Sequence, residues 1–259
     1  MYEFDNPPIN EVVCGILFKS LEDLRAAHFG LLWEKFRPDF SITEDQNIIL
    51  PLPTDVISLS NKVPLPRVWF IHKNENAVIQ VQRNHFLYNW RKRRPADEYP
   101  GYQQVIKDFE HYKSVFEKFL EEEKIGSINA IRYEMTYIDL LPCGEGWETL
   151  NEIDKLLSDV FSPDARNSLL KHHITNINWQ TVYTLPENRG TLKILIQNGT
   201  AAESQPVIRL EFTAMTLIDK DTPQTMRDWS NVVHDLVYQI FINLINGSVQ
   251  ETYWGRKDV

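Results

Sequence analysis

Apolar residues recur at helical spacing in four stretches of the chain. From about Leu21 to Phe36, the side chains of Leu21, Leu24, His28, Leu31, Leu32 and Phe36 fall on one stripe. Ser20 is placed to cap this helix, Asp23 takes the capping-box position and Pro38 closes it. From about Tyr102 to Glu123, Val105, Ile106, Phe109, Tyr112, Phe116, Phe119 and Leu120 predict a second helix with a broad aromatic face, followed by Gly126. A third is predicted from about Trp147 to Phe161, ended by Pro163. The fourth runs from about Pro223 to Ile245, with Thr222 as cap, Pro223 in its first turn and Gly247 as stop.

Between these stretches the period falls to two, which predicts strands. Glu11 to Phe18 is an apolar strand interrupted by Gly15, and Val68–His72 and Ala77–Gln82 form a hairpin through Asn74-Glu75-Asn76. In Ala77–Trp90 the apolar parity switches, from Ile79 and Val81 to Phe86, Tyr88 and Trp90, so a turn or bulge is expected near Arg83-Asn84. Ile131–Tyr137 and Ile208–Thr213 alternate cleanly, and Trp179–Thr184 and Thr191–Gln197 flank a turn at Pro186–Gly190. The order strand, medium helix, several strands, long helix thus occurs twice. The fold expected is α+β: two similar halves, 1–124 and 125–259, separate or continuous as one domain. Each half is a curved antiparallel sheet on a long helix, in a duplicated helix-grip or TATA-binding-protein-like plan. The near copies Ile-Arg-Tyr-Glu-Met-Thr and Ile-Arg-Leu-Glu-Phe-Thr sit at different places in that repeat, so they indicate a similar sheet environment rather than duplication. The proline-rich 51–66 stretch reads as a long surface loop.

The chain has 259 residues, a length between one domain and two, with ordinary apolar and charged content. Its net charge of −9 argues against general duplex nucleic-acid binding, where a basic footprint supplies the affinity. The first residues lack a basic start and an apolar core, so a signal peptide is not expected. No stretch reaches the ~18 apolar residues of a membrane span. The location expected is the cytoplasm, with no membrane association. In that setting Asn198-Gly199-Thr200 and Asn246-Gly247-Ser248 are chance matches to a glycosylation pattern. Cys14 and Cys143 read as buried or half-buried thiols and imply no disulfide framework.

Candidate chemistry is sparse. Arg91-Lys92-Arg93-Arg94 follows His85, Phe86, Tyr88 and Trp90, and aromatics beside cations are how single-stranded nucleic acid is held. The plainer account is a strand with one buried aromatic face leaving into solvent before Pro95. Arg132 with Glu134, and Arg209 with Glu211, lie opposite the apolar positions of their strands. They form a solvated face or the polar floor of a groove, and a charge ladder if the strands are neighbours. His172 and His173 diverge on any backbone and make a poor metal pair, and His28 reads as a core or edge histidine. The helix start after Gly144-Glu145-Gly146 is spoiled for anions by Glu145 and Glu148. Nucleophile-elbow, Walker, zinc-protease and dinucleotide motifs are all missing. The tail Tyr253-Trp254-Gly255-Arg256-Lys257 is aromatic enough to dock on the body or to mark a contact surface.

Asn6-Pro7-Pro8-Ile9 with Glu11-Val12-Val13, Val81-Gln82-Arg83-Asn84-His85-Phe86, Asn89-Trp90-Arg91, Tyr99-Pro100-Gly101-Tyr102, Glu134-Met135-Thr136-Tyr137 and Trp254-Gly255-Arg256 together resemble a sporadically distributed family of bacterial conserved hypothetical proteins. The likeness spans nearly the whole chain. It implies a full-length single module with no assigned activity. The family's patchy distribution points to a mobile gene, such as a defence or toxin–antitoxin accessory.

The function expected is therefore binding rather than catalysis, without a cofactor or metal. The partner would be a protein, with homo-oligomers admitted, held by Arg83, His85, Trp90, Arg91, Arg93, Arg94, Arg132, Glu134, Arg209, Glu211, Trp254 and Arg256. The alternatives are recognition of a nucleotide or single-stranded nucleic acid by Arg83 and residues 90–94, and an unrecognised hydrolase using Glu134 and Glu211.

Overall fold

The computed structural model describes residues 2–50, 64–157, 173–201, 204–216 and 225–258. The proline-rich stretch up to residue 63, His172, Pro163 and the Thr222-Pro223 cap lie outside them. Among the described residues there are eleven strands and five helices in an α+β arrangement. The strands are β1 (Tyr2–Phe4), β2 (Ile9–Phe18), β3 (Ile42–Gln46), β4 (Arg67–Ile71), β5 (Ala77–Gln82), β6 (His85–Arg91), β7 (Ala130–Pro142), β8 (Asn178–Thr184), β9 (Thr191–Thr200), β10 (Pro206–Met215) and β11 (Arg256–Asp258). The helices are α1 (Ala26–Phe36), α2 (Tyr102–Glu122), α3 (Ile153–Leu156), α4 (Met226–Leu244) and α5 (Gly247–Trp254). Nine strands hydrogen-bond in the order β3-β4-β5-β6-β2-β7-β10-β9-β8, and β1 pairs separately with β11. No described helix is long and apolar enough to cross a membrane.

The described residues gather into two compact units, the first drawn from 12–135 and 215–223, the second from 1–11, 136–214 and 224–259. In the first unit α2 lies along β6. Phe109 and Phe116 meet Phe86, and Tyr112 stacks on Tyr88. The helix therefore buries the stripe that its spacing predicts, with Val105, Ile106, Phe109 and Phe116 fully enclosed. The parity switch after β5 is a tight turn at Arg83-Asn84 into an antiparallel partner, with Gln82 opposite His85.

In the second unit α4 buries Met226, Trp229, Val233, Val237 and Phe241. The tail is docked there. Trp254 is 2% exposed, packs 5.7 Å from Phe241 and donates its indole N–H to Glu145 at 2.9 Å. Beyond it, Gly255 takes a left-handed turn at φ 64°, which closes α5 and sends β11 back along β1. A Cβ there would stand 2.7 Å from an Asp5 carboxylate oxygen, so only glycine fits.

Three predicted helices have different limits. α1 begins at Ala26 instead of Leu21, because Arg25 is its N-cap and His28 Nδ1 accepts the Arg25 N–H at 3.0 Å. His28 is thus a capping residue, Ser20 caps nothing and Leu31 is 46% exposed. The helix expected at 147–161 is shorter over its described part. Gly144 and Gly146 adopt positive φ, a Thr149–Glu152 capping box starts a single 3₁₀ turn at Leu150, and α3 follows for four residues. α4 starts at Met226, where the Thr225 hydroxyl accepts the Asp228 N–H at 3.1 Å. Gly247 does not end the helical region, since Asn246 turns the chain and caps α5.

Candidate binding face of the sheet

Directly opposed residues in antiparallel strands share a face, so the register sorts the first unit's side chains. Val81 opposite Phe86, Ile79 opposite Tyr88 and Ala77 opposite Trp90 form the face that meets α2. Gln82 opposite His85, Gln80 opposite Leu87, and Trp69 opposite Gln80 form the other. That second face is polar and largely buried: Gln80, Gln82, His85, Asn89 and Arg132 are each no more than 5% exposed.

Two hydrogen-bonded clusters occupy it. In one, the Gln80 side-chain amide donates to Asn89 Oδ1 at 2.7 Å. The Gln80 carbonyl in turn accepts from Arg67 at 2.7 Å and from the Trp69 indole at 3.0 Å. Two guanidiniums lie against that indole, Arg67 at 5.5 Å and Arg91 at 5.7 Å from the ring centre. Burial lowers the Arg67 pKa, and the Arg91 Nε–H is tethered to the Glu75 carbonyl at 2.9 Å. In the other cluster, Gln82, Asn84 and His85 converge, with Gln82 Nε2 and Asn84 Oδ1 each 3.0 Å from His85 Nδ1. Gln82 also grips the Ile49 backbone, accepting its N–H at 2.9 Å and donating to its carbonyl at 3.2 Å. On the far side of the ring, Glu134 lies 4.0 Å from His85 Nε2 and is held by Arg132 at 2.7 Å. Gly15 belongs here as well, since a Cβ would press to 3.1 Å from Leu87, and the strand-interrupting glycine makes room for that leucine.

The predicted site residues divide accordingly. His85, Arg91, Arg132 and Glu134 are brought to this face. Trp90 points the other way and packs on Tyr99, 5.2 Å between ring centres. Arg83 sits in the β5–β6 turn, and Arg93 and Arg94 form an exposed turn whose N–H groups both donate to Asp97. In the second unit, Arg209 and Glu211 pair along β10, and Lys193 and Thr213 reach the same carboxylate at 3.2 and 2.8 Å. Burial works to raise the Glu211 pKa, but these hydrogen bonds and charges outweigh it and hold the acid low. Each arginine thus pairs with the glutamate two residues along its own strand. The carboxyl of Glu211 is therefore held ionised. Trp254 is enclosed, and Arg256 lies over the Tyr2 ring at 4.5 Å.

Cys14 is fully buried, and burial with nearby Glu110 pushes its thiol up to about 12, which makes it inert; Cys143 is half-buried. His173 is exposed and meets Asn151 at 2.9 Å. Among the described residues, no group of three or more His, Cys, Asp or Glu is placed to hold a metal ion.

Two features escaped the sequence reading. One is the Arg67–Trp69 pair, whose signal was an arginine and a tryptophan on the polar parity of a strand. The other is Asp139 in the second unit, 3% exposed on β7 between Ile138 and Leu140, where burial raises its pKa to about 7. Its signal was an acid in phase with Tyr137 and Leu141. A carboxyl raised from 3.8 to about 7 on folding costs stability as pH rises through that window. Below 3.8 both states are protonated and the cost vanishes. Asp139→Asn is therefore expected to be more stable than the parent at pH 8, by a few kcal/mol at most, and equal to it near pH 4. Urea unfolding at both pH values checks this, and equal stability at pH 8 would contradict it.

No family model matches the chain, and no curated protein is recognisably similar to it.

Proposed function

We propose that this is a non-enzymatic binding protein that holds a protein partner at the half-buried Arg67–Trp69–Arg91 patch, on the part of the first unit's sheet face turned away from α2 that stays accessible. The observation that carries the reading is the Arg67–Trp69–Arg91 cluster resting on the Gln80–Asn89 pair. Tryptophan and arginine dominate interface hot spots, and here the hydrogen bonds of buried amides hold them in position before any partner arrives. The partner surface it suits is acidic, because guanidinium forks pair with carboxylates.

The strand order supports the duplicated, TATA-binding-protein-like plan. In each half the first strand neighbours the last, β2 beside β6 and β7 beside β10, and a long helix follows. Such a plan keeps helices to one face and leaves the other for ligands, which is fold analogy.

The second reading, a nucleotide or single-stranded nucleic acid, is favoured by the same stack of indole and guanidiniums. Its centre then shifts from residues 90–94 to Arg67, Trp69 and Arg91.

Affinity capture from the source cells separates these readings. The parent chain is expected to retain a stoichiometric protein that Trp69→Ala loses, a hot-spot loss of about 2 kcal/mol or more. Absence of any stoichiometric partner would overturn the protein-binding reading. For the second reading, a labelled single-stranded oligonucleotide would bind with an affinity that falls with salt, and the salt slope would drop by about one per arginine reversed at Arg67 and Arg91. Unchanged oligonucleotide binding in that variant and in one reversed at Arg91, Arg93 and Arg94 would dismiss it.

A further inference from the structure

We infer that the second unit contains a receptor site for the head group of an organic ammonium ion, walled by aromatic rings and floored by Asp139. The site is a cavity of about 70 Å³ whose lining includes Phe4, Tyr137, His234, Tyr238, Phe241 and Asp139. It is far smaller than the roughly 300–1,000 Å³ of pockets that enclose a drug-sized ligand, so it takes a head group and leaves the rest of the molecule outside.

Asp139 is only 3% exposed, and among the described residues burial alone, with no hydrogen bond or charge beside it, sets the state of its carboxyl. Its neighbours explain why. Pro7 and Pro8 line the same cavity and carry no N–H to offer. The two tyrosine hydroxyls are engaged elsewhere. Tyr137 shares a hydrogen bond with His234 Nδ1 at 2.8 Å, and Tyr238 accepts the Tyr2 N–H at 2.7 Å and donates to the Tyr2 carbonyl at 2.6 Å. A buried acid without a donor is a cost that selection seldom retains without use.

The chemistry around it selects a cation. Phe4 and Phe241 both line the cavity and meet edge to face at 77°, and aromatic rings attract cations. None of the described lining residues is a Lys or Arg, so once Asp139 loses its proton the charge that pairs with it comes from outside the site. An alkylated ammonium meets every requirement. Its carbon surface fits the rings, its charge pairs with the carboxylate, and it needs no hydrogen-bond acceptor beyond that group. A neutral apolar ligand would fill the walls but leave the acid unmatched.

Binding must also follow pH, because only the ionised acid attracts the ligand. The groups facing Asp139 are Tyr137 on its own strand and His234 and Tyr238 from α4, while β1 and the Pro7-Pro8 segment contribute only apolar side chains. Burial lowers the His234 pKa and Asp235 opposes that, so His234 adds no positive charge above neutral pH.

Calorimetric titration of the full chain with butyltrimethylammonium, and with its neutral isostere 3,3-dimethylbutan-1-ol, tests the site. The cation is expected to bind at least tenfold more tightly than the alcohol at pH 8, and to weaken by up to tenfold per pH unit below 7. Asp139→Asn and Asp139→Leu should both lose the cation, and Leu, apolar in an apolar cavity, guards against a folding failure of the amide. Asp108→Asn alters another acid beside aromatic rings, in the first unit, and should leave the affinity unchanged. Equal binding of alcohol and cation, affinity insensitive to Asp139, or no cation binding at pH 8 would each overturn the proposal.

Discussion

Phe116→Ala should destabilise the protein by about 3–5 kcal/mol, a large share of the 5–15 kcal/mol that typically holds a folded chain together. Phe116 is fully enclosed, lies 5.3 Å from Phe86 in a near-parallel stack, and meets Phe18 at 6.3 Å. Truncation removes the transfer energy of a whole ring and leaves a hole between a helix and two strands. Those elements are tied by main-chain hydrogen bonds and cannot close over it. Two turns of main chain do not move to fill one ring, so most of the cavity cost persists. Lys118, two residues along the same helix, has a side chain 77% exposed, and its replacement by alanine should change stability by less than about 0.5 kcal/mol. Urea denaturation of both variants makes the comparison. A loss under about 1 kcal/mol for Phe116→Ala would mean that α2 does not bury its stripe on the sheet.

The second large effect concerns an ion pair. Arg132 and Glu134 have side chains only 6% and 15% exposed, and both Arg132 Nε and Nη2 reach one Glu134 oxygen, at 2.8 and 2.7 Å. Removing either partner strands a buried charge, which costs about 3–5 kcal/mol, whereas removing both together is often neutral. Arg132→Met alone and Glu134→Leu alone should therefore each be strongly destabilising, and the double variant should recover most of the loss. The coupling, read as the departure from additivity in a double-mutant cycle, is the measured quantity. Additive losses would show that the two side chains do not depend on each other. The double variant also separates structure from recognition, because a chain that stays folded but loses its captured partner places this pair in the binding face.

Much of the scaffold was legible because it follows from spacing alone. The stripe of α2 matches its predicted limits to within a residue, since seven apolar side chains at helical period leave no competing element. The turn between β5 and β6 was readable from the parity switch, because a strand cannot change its buried face without leaving the ladder. The start of α1 was not. Leu21 and Leu24 are buried as their pattern demands, but the chain reaches them as a turn before the helix begins at Ala26. Apolar spacing reports which side chains are buried and says little of the backbone that carries them. The short strands β1 and β11 were invisible for a related reason. Three residues give no period, and the pairing of Phe4 with Arg256 joins positions at opposite ends of the chain.

The sequence by itself determined where the two long helices run and which of their side chains form the buried stripe. Those properties depend on neighbours within one or two turns of chain. Only the tertiary structure decided that Trp69 meets Arg91 across two strands, and that Arg67 reaches Gln80. It alone set Asp139 against Pro7, Pro8 and α4, in a cavity whose described lining holds no Lys or Arg. These contacts depend on strand register and on which segments close over a given side chain, and a local pattern carries no record of either.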